Sequence, residues 1–484
     1  MGKTRPVAPF DTLRTNNSGK MYSLDDTIAA ISTPIGEGGI GIVRMTGPQA
    51  ADILNKIFCP RKKRARAGDR PYPWSFIPYH LHYGHIVDPQ SDETVDEVLV
   101  SYMPAPHTYT CEDVVEINCH GGVVPLRRVL ELTLRHGARL AQPGEMTLRA
   151  FLNGRIDLAQ AEAVLDIVQA KTEASLRVAV EQLGGRLSNE IRAVRALLVD
   201  VLAYLEATID FEEDEIPFQD IGPPLKEAIE RLGKLLANAD QGIIYRQGVR
   251  TAIVGRPNVG KSSLLNALLR TSRAIVTPIP GTTRDTLEET VNLQGIPLVL
   301  VDTAGITADT DDAIEKLGIE RSRAALAQAD LALLVIDGSE PLQSADSEIA
   351  DLIGDKPAIV VINKVDLAQK AEQDGLLPQA DRVSVSALTG QGLEKLEEAI
   401  VETVFSGRVV TADEPLVSSP RHKDLLAQAL DHLKAAQGSH DEGMVADFVA
   451  IDLTAAVDAL GEITGEMATE DLLETIFAKF CIGK

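Results

Sequence analysis

The sequence predicts a multidomain protein: an α+β N-terminal domain, an α-helical central domain, and an α/β nucleotide-binding domain inserted into the helical one. The first reason is size, because 484 residues exceed what one hydrophobic core normally supports. The second is that residues 250–405 alternate apolar strand-like runs with helical patterns, as doubly wound α/β domains do. The third is that helical periodicity flanks this region on both sides, and domains tolerate insertions where their termini lie close together.

The N-terminal domain is expected over residues 21–152. From Asp25 to about Leu140, short β-like runs such as IGIVRM, DEVLVSYM and DVVEINC alternate with Gly and Pro. Within them, VPLRRVLELTLRHG is the one clear helix. Residues 1–20 are polar and precede a second methionine, Met21, so we interpret them as an expression leader.

The rest of the chain divides by periodicity. Long amphipathic stretches predict the first part of the helical domain over residues 153–246, and the pattern resumes over residues 411–484 for the second part. Residues 247–410 lie between them and contain RTAIVG, PLVLVD, LALLVID, PAIVVIN and VSVSA. Such near-continuous apolar runs are typical of parallel strands that are buried on both faces.

Composition limits the classes of function. The formal charge of −24 argues against a protein that coats nucleic acid, so any RNA contact must be local. The basic run from Arg61 to Arg66 is a candidate patch, and a solvated loop is its ordinary alternative. The four cysteines form no CxxC pair, which indicates neither zinc nor disulfides and fits the cytoplasm. No apolar run reaches the roughly 18 residues of a membrane span, so we expect no membrane association.

A phosphate-binding loop is the clearest motif. GRPNVGKS, from Gly255 to Ser262, stands between the strand pattern RTAIVG and the helix pattern SLLNALLR and matches GxxxxGK[ST]. In this context backbone N–H groups converge on phosphate oxygens at a helix N-terminus. Lys261 is expected to contact the β- and γ-phosphates, and the Ser262 hydroxyl is a suitable ligand for Mg²⁺. The inserted domain is therefore predicted to be a P-loop nucleotide hydrolase.

Two further segments complete the phosphate side. In VLVDTAG, Asp302 stands at a strand end, where its carboxylate can hold the magnesium shell, and the Gly305 N–H can face the γ-phosphate. PIPGTTRDT contains Thr282 and Thr283 and indicates a switch loop, with a plain polar turn as the alternative. By resemblance to GTPases, Thr283 is the second protein ligand of Mg²⁺.

NKVD, from Asn363 to Asp366, resembles the base-recognition motif of the translation-factor class of GTPases. The Asp366 carboxylate can accept two hydrogen bonds from guanine that adenine cannot donate, so GTP is the expected substrate. Ser386, Ala387 and Leu388 match a weaker guanine-backing motif. The predicted nucleotide-binding set is Asn258, Val259, Gly260, Lys261, Ser262, Ser263, Thr277, Thr282, Thr283, Asp302, Thr303, Ala304, Gly305, Asn363, Lys364, Asp366, Ser386, Ala387 and Leu388.

Hydrolysis requires a positioned water molecule, and many small GTPases hold it with a glutamine directly after DTAG. Here Ile306 occupies that position, and a hydrocarbon side chain neither donates to water nor accepts from it. The attacking water must therefore be positioned by another group.

The segments GRPNVGKS, AIVTPIPGTTRD, IEKLGIERS and CIGK resemble the MnmE (TrmE) family, which modifies the wobble uridine of tRNA, and the resemblance extends from Met21 to Lys484. It implies that K⁺ binds to Asn258 with Thr277, Ile279 and Thr282, and acts where an arginine finger would. It also implies that Glu315 orients the water when two G domains meet. Without the resemblance, an exposed surface glutamate is the ordinary interpretation of Glu315.

TPIGEGGIGIVRMTG, YTCEDVVEINCHGG and QPGEMTLRAFLNGRIDLAQAEA resemble the folate-binding module of the same family. The resemblance implies that Arg44, Glu116, Arg155 and Lys484 contact a one-carbon tetrahydrofolate such as the 5-formyl form. A guanidinium and a carboxylate suit the amide edge of a pterin. From the residues alone, these glycine clusters could equally be ordinary turns.

Three positions in these segments have particular consequences. Arg155 stands where lysine is often expected, and Cys111 stands where glycine is common. The sequence therefore does not determine the geometry of the folate pocket. Cys481, in the terminal FCIGK, is the third candidate catalytic residue beside Glu315 and Lys261. The alternative for Cys481 is a small packed hydrophobe, because reactivity depends on a lowered pKa.

The resemblance as a whole implies a homodimer that works with the FAD-containing MnmG protein, in a heterotetramer or larger assembly, to add a (carboxymethyl)aminomethyl group at carbon five of the wobble uridine. GTP hydrolysis would drive opening and closing of the G domains. A GTP-dependent switch in RNA or ribosome assembly is the first alternative. A one-carbon enzyme that acts on something other than tRNA is the second. The terminal CIGK and the folate-like N-terminal domain favour the tRNA-modifying function over a switch.

Overall fold

The computed structural model describes residues 25–60, 75–210, 216–271, 289–301, 322–370, 376–405 and 415–483. The chain divides into two compact units. The first contains the residues up to Leu165 together with those from Gly461 onward, and the second contains most of the residues between Asp166 and Leu460. The proposed leader at 1–20 and the basic run at 61–66 lie outside the described residues. The domain boundaries given above remain predictions.

The first unit is built on a seven-stranded sheet with the strand order β3-β4-β5-β6-β2-β1-β7. The strands are β1 (Ile28–Ile31), β2 (Gly38–Thr46), β3 (Phe58–Pro60), β4 (Leu81–Val87), β5 (Thr94–Met103), β6 (Val114–Gly121) and β7 (Arg139–Leu140). All neighbours are antiparallel except β1 and β7. The runs IGIVRM, DEVLVSYM and DVVEINC fall within β2, β5 and β6, so the expected α+β domain is confirmed.

The sequence predicted one clear helix in this domain, and its described residues form three: α1 (Ala50–Ile57), α2 (Val123–Arg135) and α3 (Glu145–Leu152). The predicted helix is α2. The two missed helices have only eight residues each, which is too short for a helical period to stand out, and tertiary packing stabilises them. Every residue of α3 is buried, so it has no polar face to reveal the period.

The helical part begins with α4 (Leu158–Gln169), α5 (Glu173–Leu183), α6 (Arg186–Asp210), α7 (Gly222–Ala237) and α8 (Ala239–Gln247). The long amphipathic stretch seen in the sequence is therefore interrupted. Thr172 caps α5 by accepting from the backbone N–H of Ser175 at 3.1 Å. The left-handed Gly185, with φ 82°, separates α5 from α6.

The α/β domain has a six-stranded sheet with the order β13-β12-β11-β8-β10-β9. Its elements are β8 (Val249–Val254), α9 (Lys261–Thr271), β9 (Glu289–Leu293), β10 (Ile296–Val301), β11 (Leu331–Asp337), α10 (Ser344–Ile353), β12 (Ala358–Asn363), β13 (Asp381–Ser384) and α11 (Leu393–Phe405), with a further helical segment at 322–328. The five strands predicted from apolar runs pair in parallel, as expected. β13 begins two residues earlier than its run.

Strand β9 was not predicted, and it makes the sheet mixed because it pairs antiparallel with β10. The two strands are joined by Gln294 and Gly295, whose φ values of 49° and 95° give the left-handed two-residue turn that hairpins favour. The end of this hairpin contacts the helical part within the second unit. The hydroxyl of Thr172 donates to the Gly295 carbonyl at 2.8 Å, and Lys171 Nζ donates to Thr290 Oγ1 at 3.0 Å.

The chain returns to helices with α12 (Pro420–Asp441), α13 (Ala446–Thr464) and α14 (Glu470–Phe477). In the second unit α12 packs along α7. In the first unit α14 packs on α3, where the left-handed Gly144 lies against Phe477 with no room for a side chain. The tail follows, and Ile482 forms a β-bridge with Pro143. Within the described ranges, none of the helices has the length and apolar character needed to cross a membrane.

Candidate functional site

The phosphate-binding loop connects β8 to α9 and lies close to the strands beside it. Gly255 has φ 153°, and a Cβ there would lie 2.3 Å from the Val335 carbonyl of β11. Gly260 has φ 99°, and a Cβ there would lie 2.2 Å from Asn363 Nδ2. Asn258 is also left-handed, with φ 63°. The motif therefore needs glycine at both positions, because the loop passes too close to its neighbours for a side chain.

Lys261 and Ser262 stand at the start of α9, where the first backbone N–H groups have no partner within the helix. Lys261 Nζ donates to the main-chain carbonyls of Gly255 at 2.9 Å and Arg256 at 2.7 Å. The ammonium group is thereby held across the loop opening. The backbone N–H groups of this helix N-terminus and the lysine together form a cradle that suits a polyphosphate.

Asn363, at the end of β12, joins the loop to the base-recognition segments. Its side chain is 2% exposed, and Nδ2 donates to the Val259 carbonyl at 2.8 Å. Its Oδ1 accepts from the backbone N–H of Ala387 at 3.0 Å. The structure therefore brings three predicted motifs together, GRPNVGKS, NKVD and the Ser386–Leu388 segment, through one amide side chain.

Lys364 makes a second connection. Its Nζ donates to the Asn258 carbonyl at 2.9 Å and to Asp337 Oδ2 at 2.6 Å. Burial would raise the pKa of Asp337, but hydrogen bonds from Lys364 and Ser339 outweigh it, and the pKa lies below its ordinary value. Asp337 therefore stays ionised and holds the lysine. Sequence reasoning missed this residue, and its available signal was an acid that ends the apolar run LALLVID.

The remaining base-side residues differ in exposure. Asp366 is exposed after β12, and Leu388 is 86% exposed, whereas Ser386 is buried and its Oγ accepts from the Thr389 N–H at 3.2 Å. An exposed carboxylate beside an ordered backbone loop is able to accept hydrogen bonds from a ligand.

Much of the phosphate and metal side lies outside the described residues, namely Thr277, Ile279, Thr282, Thr283, Asp302, Thr303, Ala304, Gly305 and Glu315. Of the proposed metal ligands, Ser262 and Asn258 are described. Ser262 is half-buried, Asn258 is exposed, and Ser263 beside them is exposed. A hydroxyl and an amide oxygen are hard donors, which suit Mg²⁺ and K⁺.

The first unit contains a second cluster of predicted residues. Arg44 on β2 is the direct cross-strand neighbour of Glu116 on β6, and its NH2 lies 2.8 Å from Glu116 Oε1. The carbonyl of Gly483, in the tail, accepts from Ser32 Oγ at 3.1 Å and lies 3.5 Å from Arg44 NH1. The tail therefore reaches the Arg44–Glu116 pair. Lys484 lies outside the described residues.

Tyr109 is the residue of this cluster that the sequence did not reveal. The guanidinium carbon of Arg155 lies 5.0 Å from the centroid of its ring, and its hydroxyl is 3.0 Å from Thr147 Oγ1. Burial raises the pKa of Tyr109 in spite of Thr147, Arg155 and Arg44, which lower it. An aromatic ring beside two guanidiniums and a carboxylate is able to bind a flat polar heterocycle, so the residues fit a folate.

The cysteines have distinct environments. Cys111 has φ 59°, in the left-handed region, which explains why glycine suits this position. Burial raises the pKa of Cys119 to about 12, which leaves it a poor nucleophile. Cys481 is exposed, and its carbonyl accepts from the Gly144 N–H at 3.4 Å.

The chain was compared with solved structures, family models and curated proteins. Among solved structures, the G domain of the T. maritima FeoB iron transporter aligns with a TM-score of 0.23 and 27% identity over 32% of this chain and 98% of that chain. The family model described as GTP-binding protein TrmE N-terminus matches residues 27–155, and the one described as MnmE helical domain matches residues 158–481.

Two relatives carry the name tRNA modification GTPase MnmE. The one from Roseiflexus sp. (strain RS-1) is 53% identical over 95% of this chain and 99% of its own length. The one from Chloroflexus aurantiacus is 50% identical over 95% of this chain and 100% of its own length. Because a family model matches more than half of the chain and relatives at this identity cover nearly all of it, the chain belongs to the MnmE family of tRNA modification GTPases.

Proposed function

We propose that this chain hydrolyses GTP and that the hydrolysis serves modification of the wobble uridine in tRNA. The observation that carries the first half is the junction at Asn363, which hydrogen-bonds to Val259 of the phosphate loop and to Ala387 of the base loop. Such a junction holds a phosphate-binding loop and a base-binding loop in a fixed relation, as a nucleotide site requires. The printed names of the relatives support the second half.

The residues divide the work on the nucleotide. The backbone N–H groups at the start of α9 would bind phosphate oxygens, and Lys261, oriented by the carbonyls of Gly255 and Arg256, would contact the β- and γ-phosphates. Ser262 would hold Mg²⁺, which would supply positive charge to the phosphates. Asp366 selects guanine by accepting two hydrogen bonds. Thr283 and Asp302 complete the magnesium shell.

Potassium stimulation is part of the proposal. The exposed Asn258 is fixed at the corner of the loop, because Lys364 holds its carbonyl and its backbone is left-handed. Its amide oxygen, with Thr277, Ile279 and Thr282, would form a site for K⁺. A bound monovalent cation supplies the charge that an arginine finger gives other GTPases, whereas Ile306 in place of glutamine leaves the attacking water to be positioned by another group.

We expect faster GTP hydrolysis in KCl than in NaCl at equal ionic strength, by at least about tenfold if the cation replaces an arginine finger. Initial rates of phosphate release under the two salts measure this directly. The matched control is Asn258→Ala, in which the difference between the salts should shrink. Equal rates for the parent protein in both salts would remove the cation from the mechanism.

Glu315 is proposed to orient the attacking water when two G domains meet across K⁺. Glu315→Ala should retain GDP affinity and lose about 100-fold or more in turnover, because general-base and positioning groups contribute on that scale. Glu394→Ala changes an exposed glutamate at the start of α11 and serves as the control. Parent-like turnover in Glu315→Ala would show that another group positions the water.

The first unit would supply the one-carbon chemistry. Arg44, Glu116 and Arg155, with Lys484, would bind a one-carbon tetrahydrofolate, and Cys481 on the exposed tail stays the candidate reactive thiol. The chain would act in the cytoplasm as a homodimer, together with the FAD-containing MnmG protein. The transferred group is of the (carboxymethyl)aminomethyl type.

Nucleoside analysis of tRNA tests the proposal as a whole. Cells that lack this gene should lose the carbon-five modification of the wobble uridine, the native gene should restore it, and Lys261→Ala should fail to restore it. Intact modification in the deletion strain would overturn the tRNA assignment and leave a GTP-dependent assembly switch.

A further inference from the structure

The second residue of the phosphate loop, Arg256, has a side chain that takes no part in the assignments above. It is 9% exposed, and its Nε donates to Oδ1 of Asp346 at 2.8 Å. Asp346 is 0% exposed, so this is a buried ion pair. The other carboxylate near the guanidinium belongs to Glu340, which is 54% exposed and 3.7 Å away.

Asp346 is itself fixed. It lies in the first turn of α10, and its Oδ2 accepts from the backbone N–H of Gln343 at 3.0 Å. A carboxylate at this end of a helix is stabilised by the helix dipole. One oxygen of Asp346 therefore secures the start of α10, and the other secures Arg256. The phosphate loop is tied in this way to a helix that contributes no predicted nucleotide ligand.

The Arg256–Asp346 ion pair fixes the residue whose main-chain carbonyl binds Lys261. The main-chain carbonyl of Arg256 accepts from Lys261 Nζ at 2.7 Å, so a side chain fixed by Asp346 sets the orientation of that peptide. On the base side, Asp337 holds Lys364. The β11–α10 connection therefore has an acid at each end. Asp337 holds the base side of the nucleotide site, and Asp346 holds the phosphate loop.

We propose that Arg256 and Asp346 are positioning residues for GTP hydrolysis: their buried ion pair holds the phosphate loop so that Lys261 meets the transferring phosphoryl group. This inference rests on the proposed GTPase function and names residues that act through Lys261. The two side chains are buried against each other and neither is a predicted nucleotide ligand, so the pair should affect turnover more than substrate binding.

The test is steady-state GTP hydrolysis by the full-length chain. Asp346→Asn keeps the shape and the acceptor for Gln343 but removes the charge, and it should lower kcat by about 10- to 100-fold, the scale of a small misplacement in an active site. KM for GTP should change far less, because Asn363 and Lys364 still hold the base loops. Glu340→Gln, beside the same guanidinium, should behave like the parent.

Two further variants separate positioning from folding. Arg256→Lys retains the charge and should keep more activity than Arg256→Met. This comparison remains a test of the ion pair if Asp346→Asn fails to fold. The double variant Arg256→Met with Asp346→Asn should lose no more kcat than either single variant, because both remove the same interaction. Circular dichroism and gel filtration establish that each protein compared is folded.

The outcomes are distinguishable. If the parent fails to bind GDP in calorimetry, the proposed function is wrong. If the parent binds and hydrolyses, but folded Arg256→Met and Asp346→Asn match its kcat, the ion pair only stabilises the domain and the inference is overturned. Additive losses of kcat in the double variant would also overturn it.

Discussion

Lys261→Ala is expected to lower the kcat of GTP hydrolysis by about 100- to 1,000-fold, the loss typical of removing one preorganised donor to a transition state. In the structure the ammonium donates to the carbonyls of the adjacent residues Gly255 and Arg256. Alanine leaves the backbone N–H groups of α9 in place but removes this ammonium group. Phosphate release at saturating GTP measures the effect.

Lys395→Ala is the matched control for this variant, because Lys395 is exposed on α11 of the same domain. It should retain parent activity. The Lys261→Ala protein should keep the far-ultraviolet circular dichroism of the parent, since Lys261 makes its described contacts with loop carbonyls rather than with the core. Hydrolysis at the parent rate by folded Lys261→Ala would contradict the assignment of the phosphate loop.

Asp366→Asn is expected to change the preferred base from guanine to xanthine. The carboxylate of Asp366 is proposed to accept from the guanine N1–H and amino group, whereas an asparagine amide has one acceptor and one donor, which match the N1–H and carbonyl of xanthine. Sites that depend on such pairs discriminate on the order of 10⁴-fold. Competition of GTP, xanthosine triphosphate and ATP for the parent and the variant measures the ratio.

Asp351→Asn, an exposed position on α10, provides the control and should keep the guanine preference. The variant Asp366→Asn should remain folded, because Asp366 is exposed and lies after the end of β12. If it still prefers GTP over xanthosine triphosphate, another residue reads the base. If the parent does not discriminate between GTP and ATP, the guanine assignment itself is wrong.

Local patterns explain what the sequence could predict. GxxxxGK[ST] depends on residues that are adjacent in the chain, and apolar runs report burial on both faces of a sheet, so the phosphate loop and five strands were accessible. The matches to family models confirm the fold class and the family. Strand β9 was missed because only the left-handed pair Gln294 and Gly295 marks its hairpin.

Pairs that form over long sequence separations were not accessible. Arg256 and Asp346 are 90 positions apart, and each alone resembles an ordinary surface charge. Tyr109 and Arg155 meet only because the fold of the first unit brings their loops together. Asp337 was hidden for a similar reason, since its partner Lys364 follows the neighbouring strand. A single sequence records residue types but does not show which buried charges form ion pairs in the folded chain.

The docked tail has a practical consequence for handling the protein. Ile482 pairs with Pro143, and the Gly483 carbonyl lies beside Ser32 and Arg44, so any peptide fused after Lys484 would start next to the Arg44–Glu116 pair. A purification tag at that end would compete for the space in which a pterin is proposed to bind. Affinity handles for folate-binding experiments therefore belong at the opposite terminus, or must be cleaved before titration.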